Sequence, residues 1–275
     1  NGKWCWFSRG IGGKTALDYL IKVKELPFTE AVERIVGRAA ERPSVFHARA
    51  QPEKPKTLLL PPKSNSNTRV IAYLKSRGID GGLIEQCIRS GQLYESLPYH
   101  NAVFVGMDRN GTPRYACLRG IGTDFKGEAT GSDKRFSFAL PATGESRMLC
   151  VFESAIDLLS YATMAQAGGL SWRSQHLLSL AGVYKPQKET QEHRLPLALT
   201  QYLKDHAEIK TICLCLDNDM TGRSATEAIR QQLAERYKVA SAFPRQGKDY
   251  NDWLCIRMGL QPAKENPMTE RSFAR

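Results

Sequence analysis

Beginning at residue 147, short apolar runs alternate with segments of helical period: Met148–Phe152 then Ala155–Ala165, His176–Leu180 then Leu195–His206, Thr211–Leu216 then Ser224–Tyr237, and Val239–Phe243 then Tyr250–Met258. Few folds satisfy such a pattern. Strands buried on both faces read as continuous apolar runs, and parallel neighbours need a crossover, so the alternation predicts a parallel sheet flanked by helices. The runs share a second property. The first ends in Glu153, the third in Asp217-Asn218-Asp219, and the last leads to Gly247-Lys248-Asp249-Tyr250-Asn251-Asp252. Ligands of parallel α/β sheets bind beyond the carboxyl ends of the strands, so these carboxylates are expected to meet in one site.

Asp217 and Asp219 are two residues apart, so on extended backbone both leave the same side while Asn218 points away. Mg²⁺ takes hard oxygen ligands and keeps several waters, so a few carboxylates plus phosphate oxygens suffice to hold it. Asp157 follows Glu153 by one helical turn and extends the acidic patch on the same face. Asp219 leads into Met220-Thr221-Gly222-Arg223, a helix N-terminus whose amides favour a phosphate. Taken alone, an Asp-x-Asp pair fits helix capping equally well. Lys248 either neutralises a phosphate or balances Asp249 and Asp252.

Lys and Arg number 39 against 28 Asp and Glu in 275 residues, a formal charge of +11. A chain so basic is suited to a polyanionic partner, the bland alternative being a merely soluble surface. The seven cysteines form no Cys-x-x-Cys pair, and Cys213 and Cys215 lie in an apolar run as small core hydrophobes, which places the chain in a reducing cytoplasm. The five histidines are scattered, with no pair at helical ligand spacing, so a structural zinc site is not expected. No apolar stretch approaches the ~20 residues that span a bilayer, and no membrane partner is expected. The chain opens on Asn1 without a methionine and reads as a fragment of something longer.

Upstream of residue 147 the organisation is different. Residues 1–42 read as a small N-terminal unit: a ribbon around Lys3-Trp4-Cys5-Trp6-Phe7, a Gly-rich turn, then helices over Thr15–Val23 and Phe28–Ala40. Ser8-Arg9-Gly10-Ile11-Gly12-Gly13-Lys14-Thr15 nearly spells an ATP-binding P-loop, but Ser8 stands where the first glycine belongs, and a Gly-rich lead into a helix is the better reading. Residues 43–68, rich in Pro, Lys, Ser and Asn, read as a linker. Residues 69–146 form a small α+β basic unit, with helices over Val70–Arg77 and Gly82–Ser90. An Asn110-Gly111 hairpin joins Ala102–Met107 to Pro113–Leu118, and a period-two run over Arg135–Leu140 suggests one more strand. Residues 147–260 carry the parallel sheet, and 261–275 read as a loose tail.

Glu153 with Asp157, Asp217-Asn218-Asp219-Met220-Thr221-Gly222-Arg223, and Gly247-Lys248-Asp249-Tyr250-Asn251-Asp252 together resemble the Toprim domain shared by DnaG-type primases, type IA and type II topoisomerases and some nucleases. Leu178-Ser179-Leu180-Ala181-Gly182 resembles the second Toprim strand of those primases. Tyr73-Leu74-Lys75-Ser76-Arg77-Gly78-Ile79, Val103-Phe104-Val105 through Asp108-Arg109-Asn110-Gly111, and Arg119 resemble the region that precedes Toprim in them, and the likeness covers residues 69–255. Trp4-Cys5-Trp6-Phe7-Ser8-Arg9-Gly10 through Ala16-Leu17-Asp18-Tyr19-Leu20 resembles the second half of a primase zinc ribbon. It departs from the family by holding Trp6 and Arg9 where a Cys-x-x-Cys pair would stand, so the unit resembles a metal-free remnant, as in primase-like proteins of plasmids and transposons.

The resemblance implies a Rossmann-like fold and the catalytic core of a primase that makes RNA primers on single-stranded DNA from ribonucleoside triphosphates, in mobile-element replication, with a replicative helicase as a further partner. It implies that Glu153, Asp217 and Asp219 are catalytic, and that Asp217, Asp219, Asp249, Glu153 and Asp157 surround Mg²⁺ or Mn²⁺. Arg119, Lys126, Lys134 and Arg135, with Arg223 and Lys248, are the candidate contacts to nucleic acid or nucleotide, Phe125 and Phe136 offering stacking faces. Two other readings stand beside this one: a Toprim nuclease or nickase using the same acids, and a DNA-binding module with a relic site.

Overall fold

The computed structural model describes residues 4–6, 11–36, 57–182 and 195–262, and the chain divides into two units, Asn1–Lys54 and Pro55–Arg275. In the first unit β1 (Trp4–Trp6) and β2 (Ile11–Gly13) pair antiparallel, followed by α1 (Ala16–Lys22) and α2 (Phe28–Val36). Thr15 caps α1: its hydroxyl accepts from the Asp18 amide, and the Asp18 side chain accepts from the Thr15 amide. This reciprocal capping box identifies Lys14-Thr15 as the start of a helix. Ser8–Gly10 of the near P-loop, Arg9 of the zinc-ribbon comparison, the expected continuation of α2 to Ala40, and the linker up to residue 56 lie outside the described residues, as does the tail from residue 263.

The second unit opens with residues 57–67, expected as the end of a linker. They are instead fastened to the body of the unit: Leu59 N–H donates to the Thr130 carbonyl, Leu97 N–H to the Pro62 carbonyl, and the Tyr94 hydroxyl to the Pro61 carbonyl. Proline lacks a donor but keeps its carbonyl, so a Pro-rich strap can still be fastened by accepting. Next come α3 (Thr68–Ser76) and α4 (Gly81–Arg89), the latter capped by Asp80, whose side chain accepts from Leu83 N–H. A four-stranded antiparallel sheet comes after them in the order β3 (Leu93–Glu95), β4 (Ala102–Met107), β5 (Pro113–Arg119) and β6 (Lys126–Glu128). At the β4–β5 turn the Asp108 carboxylate accepts from the amides of Asn110 and Thr112, which holds the Asn-Gly reversal.

Residues 134–140 correct one expectation. In place of a continuous strand there is a turn of 3₁₀ helix over Lys134–Phe136, then a two-residue strand, β7 (Ala139–Leu140). Asp133 accepts from Arg135 N–H and sets up that turn, so local side-chain chemistry overrides the alternating pattern.

β7 joins the second sheet, whose order is β11-β10-β8-β9-β7. Here β8 (Met148–Phe152), β9 (His176–Ser179), β10 (Thr211–Leu214) and β11 (Lys238–Ser241) are parallel, and β7 pairs antiparallel at the edge. The central strand β8 feeds two cores. Cys150 and Phe152 pack with α5 (Ala155–Ala167), α8 (Tyr250–Arg257), α3 and α4, while Leu149 and Val151 pack with α6 (Leu197–Asp205) and α7 (Met220–Leu233). Successive side chains of a strand point to opposite faces, so one apolar run of five residues serves both layers. This is a mixed α/β fold with a mostly parallel sheet between helices, and among the described residues no helix is long and apolar enough to cross a membrane.

The helix α5 is buried along nearly its whole length, and Leu158 is 0% exposed. Leu158→Ala removes packing from the larger core and is expected to destabilise the chain by about 2–5 kcal/mol. Leu197→Ala, at a side chain 59% exposed, is expected to change stability by no more than about 0.5 kcal/mol. Denaturant unfolding of the two variants measures the contrast, and similar losses for both would contradict the assigned core.

Candidate metal and phosphate site

The chain runs from β8 to β9 on one side, then through α6 back across to β10 on the other side of β8. The sheet order therefore reverses between β8 and β10, and a crevice opens where the two connections diverge. Glu153 follows β8 and Asp217 follows β10, one on each side of that crevice. They meet there: Asp217 N–H donates to Glu153 Oε1 at 3.2 Å.

Asp219 caps α7, its Oδ1 accepting from Gly222 N–H at 2.8 Å. Its other oxygen turns toward Lys248, whose Nζ lies 3.6 Å from both Asp217 Oδ2 and Asp219 Oδ2. The capping expected of Asp219 thus uses one oxygen of its carboxylate, and the other shares the Lys248 ammonium with Asp217. Asn218 points elsewhere and is held by the Arg223 guanidinium, which also lies over the Phe243 ring, 5.0 Å from its centroid. The first turn of α7 passes close against the crevice. A Cβ on Gly222 would lie 2.2 Å from the Asp217 carbonyl oxygen and 2.9 Å from Glu153 Oε1, so only glycine permits this approach.

The third acidic segment closes the site. Asn218 N–H donates to the Lys248 carbonyl at 2.7 Å, tying the β10 end to the segment before α8. Asp249 caps α8 through Asp252 N–H, at 2.7 Å, and Asp252 in turn accepts from Lys248 N–H at 3.0 Å. Gly247 has φ +76, and a Cβ there would sit 2.4 Å from that of Asp252.

Asp157 is placed differently from the expectation of an extended open patch. It is 6% exposed, with Oδ2 accepting from the Ser154 hydroxyl at 2.5 Å and Oδ1 from Asn251 N–H at 3.3 Å. Oδ2 thus closes the N-cap of its own helix, and Oδ1 braces α5 against α8. Asn251 lies in the third acidic segment, and its sequence context assigns it no task. It is 2% exposed, donates from Nδ2 to the Arg77 carbonyl and to Ser160 Oγ, both at 2.9 Å, and accepts from Arg77 Nε at 2.8 Å. Arg77 arrives from the end of α3, so nothing local in the chain signals the contact.

Burial pushes the Glu153 carboxyl up to about 7, with Asp219 and Asp157 adding repulsion, opposed by the Asp217 amide and Lys248. Burial likewise raises Asp217 to about 7, reinforced by Glu153 and Asp249. Asp249 and Asp157 are raised by burial and then by neighbouring carboxylates. The cluster carries more negative charge than its protein partners offset. That surplus, the hard oxygen donors, and two oxygens converging on one ammonium fit a divalent cation such as Mg²⁺ or Mn²⁺. The donors are spread rather than tight: among the described residues, His, Cys and carboxylate trios with ligand atoms within 4.8 Å of one another occur only at Cys150, Cys213 and Cys215 and at His176, His206 and Glu208.

The basic residues fall into two groups. Arg119 and Lys126 face each other across β5 and β6, on one face of the antiparallel sheet, beside Phe125, which is 49% exposed. Lys134 pairs with Glu128 at 2.9 Å, and Arg135 pairs with Asp133 at 2.5 Å while lying 5.5 Å from the Phe136 centroid. These two are engaged locally and lie on the 3₁₀ turn rather than on a strand.

Residues 150–254 match a family described as Toprim-like, and residues 72–144 match one described as a protein of unknown function (DUF3991). The part of the chain that carries the parallel sheet is therefore similar to a Toprim-like domain. An uncharacterized protein of Bacillus anthracis is 25% identical over 82% of this chain and 64% of its own length; a 65 kDa protein of Zymomonas mobilis is 26% identical over 73% of this chain and 33% of its own. The chain thus spans less than two thirds of either relative. Among solved structures, the primase fragment of the bacteriophage T7 primase-helicase protein is 19% identical, with a TM-score of 0.45 over 67% of this chain and 69% of that one. The DnaG catalytic core is 14% identical, with a TM-score of 0.47 over 70% of both chains.

An ordinary carboxylate titrates near ~4, so the folded chain keeps protons on Glu153 and Asp217 that the unfolded chain releases. Their contribution to stability is full below pH ~4 and is lost as pH rises through about 7. Metal-free Asp217→Asn is therefore expected to melt higher than wild type at pH 8, by on the order of a few degrees, with the gap narrowing toward pH 5. Added Mg²⁺ is expected to raise the wild-type midpoint at pH 8 and to leave the variant nearly unmoved. Scanning calorimetry across this range reads both effects, and a variant less stable than metal-free wild type at pH 8 would contradict the charge argument.

Proposed function

We propose that the chain is the catalytic core of a primase-like nucleotidyltransferase, which makes short RNA primers on single-stranded DNA and serves the replication of a mobile element. The observation that carries this reading is the meeting of Glu153 and Asp217 across the β8–β10 crevice, with Asp219 sharing the Lys248 ammonium. Acids, an ammonium and a helix N-terminus at one crevice suit a substrate bearing phosphates.

In this reading Asp217 and Asp219, joined by Asp249, hold Mg²⁺ or Mn²⁺, and Glu153 stands beside them. The bound ion supplies charge neutralisation for the triphosphate and its leaving group. Glu153, raised to about 7, is matched to take the proton of an attacking 3′-hydroxyl near neutral pH, and the Asp217 amide fixes the direction of its carboxylate. Lys248 neutralises phosphate oxygens from the side of Asp217 and Asp219. The first turn of α7, where Met220 is 89% exposed, leaves the approach open to a nucleotide, and Arg223 sits at its edge. Asp157 positions α8, and with it Asp249, without touching substrate.

The template strand runs over the antiparallel sheet, where Arg119 and Lys126 meet phosphates and Phe125 offers a face to an unpaired base. Lys134 and Arg135, on the 3₁₀ turn with Phe136, are further contacts in this reading, each also paired with a carboxylate. A replicative helicase is the partner this activity would need to gain access to single strands.

Single-stranded DNA, labelled ribonucleotides and Mg²⁺ or Mn²⁺ should yield template-dependent oligonucleotides, and Asp217→Ala should lower their yield at least about a hundredfold. Absence of product, or undiminished product from the variant, overturns the proposal; nicking of supercoiled DNA without nucleotides would assign the same acids to cleavage. Arg119→Ala and Lys126→Ala should each flatten the salt dependence of single-stranded DNA binding by about 0.7 in log–log slope. Fluorescence anisotropy at several salt concentrations measures the slopes, and unchanged slopes in both variants would remove the antiparallel sheet from the binding surface.

A further inference from the structure

The opposite end of the parallel sheet holds a second group of ligating side chains, on which the acidic site makes no demand. His176 is the first residue of β9, while His206 and Glu208 lie in the turn between α6 and β10. His176 is 4% exposed, yet its Nε2 has no hydrogen-bond partner. A buried, unsatisfied ring nitrogen costs free energy that some ligand would recover. It points toward the other two: Nε2 lies 3.8 Å from Glu208 Oε1, which is 3.0 Å from His206 Nδ1. One ligand atom from each residue falls within 4.8 Å of the others. Tetrahedral zinc with bonds near ~2.1 Å separates its ligand atoms by about 3.4 Å, so the longer of these separations must close and the shorter open by about 0.4 Å each.

The surroundings suit a metal. His176 Nδ1 lies 3.0 Å from the Tyr202 hydroxyl and takes a longer contact, 3.5 Å, from Ala142 N–H; ligation through Nε2 uses the tautomer in which Nδ1–H donates to the tyrosine oxygen, an outer partner that orients the ring. His206 stacks on the same tyrosine, with ring centroids 4.3 Å apart and planes 28° apart, which restricts its rotation.

We propose that His176, His206 and Glu208 bind a zinc-class divalent cation, with water completing a four-coordinate shell. Two imidazoles and one carboxylate are a borderline donor set, which favours zinc over the magnesium expected at the all-oxygen site. The ion would join the starts of β9 and β10 beneath β8, which lies between them, and would anchor the C-terminal end of α6. Among the described residues the cysteine trio Cys150, Cys213 and Cys215 is the other compact group, but it leaves no sulfur orphaned: Cys150 Sγ contacts Gln175 Oε1 at 2.9 Å, and the other two are 3.7 Å apart.

The whole chain, stripped of metal with a chelator, is titrated with zinc by calorimetry and with cobalt(II) by absorption. The Asp217→Asn, Asp219→Asn double variant should keep one zinc equivalent and a zinc-dependent rise in melting midpoint. His206→Ala and Glu208→Gln, both in the turn, should each weaken that binding at least about tenfold. The cobalt complex should show visible bands of four-coordinate geometry without a sulfur-to-metal charge-transfer band. Loss of the zinc equivalent in the double variant, unchanged affinity in both turn variants, or a sulfur charge-transfer band would overturn the assignment. Primer synthesis need not be measured, so failure here is separate from failure of the proposed activity.

Discussion

The buried hydrogen bond from the Asn251 amide to Asp157, 3.3 Å long, is the contact on which the acidic crevice depends. Asp157 belongs to the helix after the first parallel strand, and Asn251 to the helix after the last. The same asparagine reaches Arg77 at the end of α3 and Ser160 one turn further along α5. Three segments distant in sequence are thereby fixed around one side chain whose polar atoms are all used. Such a network is rigid when complete, and removing one partner leaves buried groups unpaired, at about 1–3 kcal/mol each. Asp249, two residues before Asn251, takes its place in the crevice from this anchorage.

The crevice itself is assembled against its own electrostatics. Glu153, Asp217 and Asp249 are raised by burial and by neighbouring carboxylates, so the surrounding structure holds them in an arrangement they would not choose alone. Lys248 relieves part of the repulsion at Asp217 and Asp219. Two well-packed cores, one on each face of β8, provide the stability that tolerates this local strain.

What the sequence made legible was local. The alternation after residue 147 marks strands and helices by their own periods, and the acids at strand ends are placed by parallel topology alone, so Glu153, Asp217 and Asp219 could be grouped in advance. Segments governed by a distant partner were not legible. Residues 57–67 look unstructured by composition, yet their carbonyls and amides bind the antiparallel sheet and its flanks. Arg135–Phe138 alternates like a strand, but Asp133 captures the Arg135 amide and turns the chain. His176 and His206 have no ligand spacing because the sheet, not a helix or loop motif, brings them together. Asp157 reads in sequence as an acid one turn from Glu153; its role as a brace depends on Asn251, which arrives from a helix at the far end of the domain.

The short strand β7 has a consequence for how this protein is divided. Ala139 and Leu140 belong by sequence to the region before the Toprim-like match, yet they pair with β9 and cover the outer edge of its sheet. Ser137 reaches further in, its hydroxyl 2.9 Å from that of Ser179. A family boundary drawn at residue 150 therefore cuts through a continuous hydrogen-bonded surface. The Toprim-like half is not a portable module: excised there, it would lose its selvedge and expose the backbone of β9 to any passing strand.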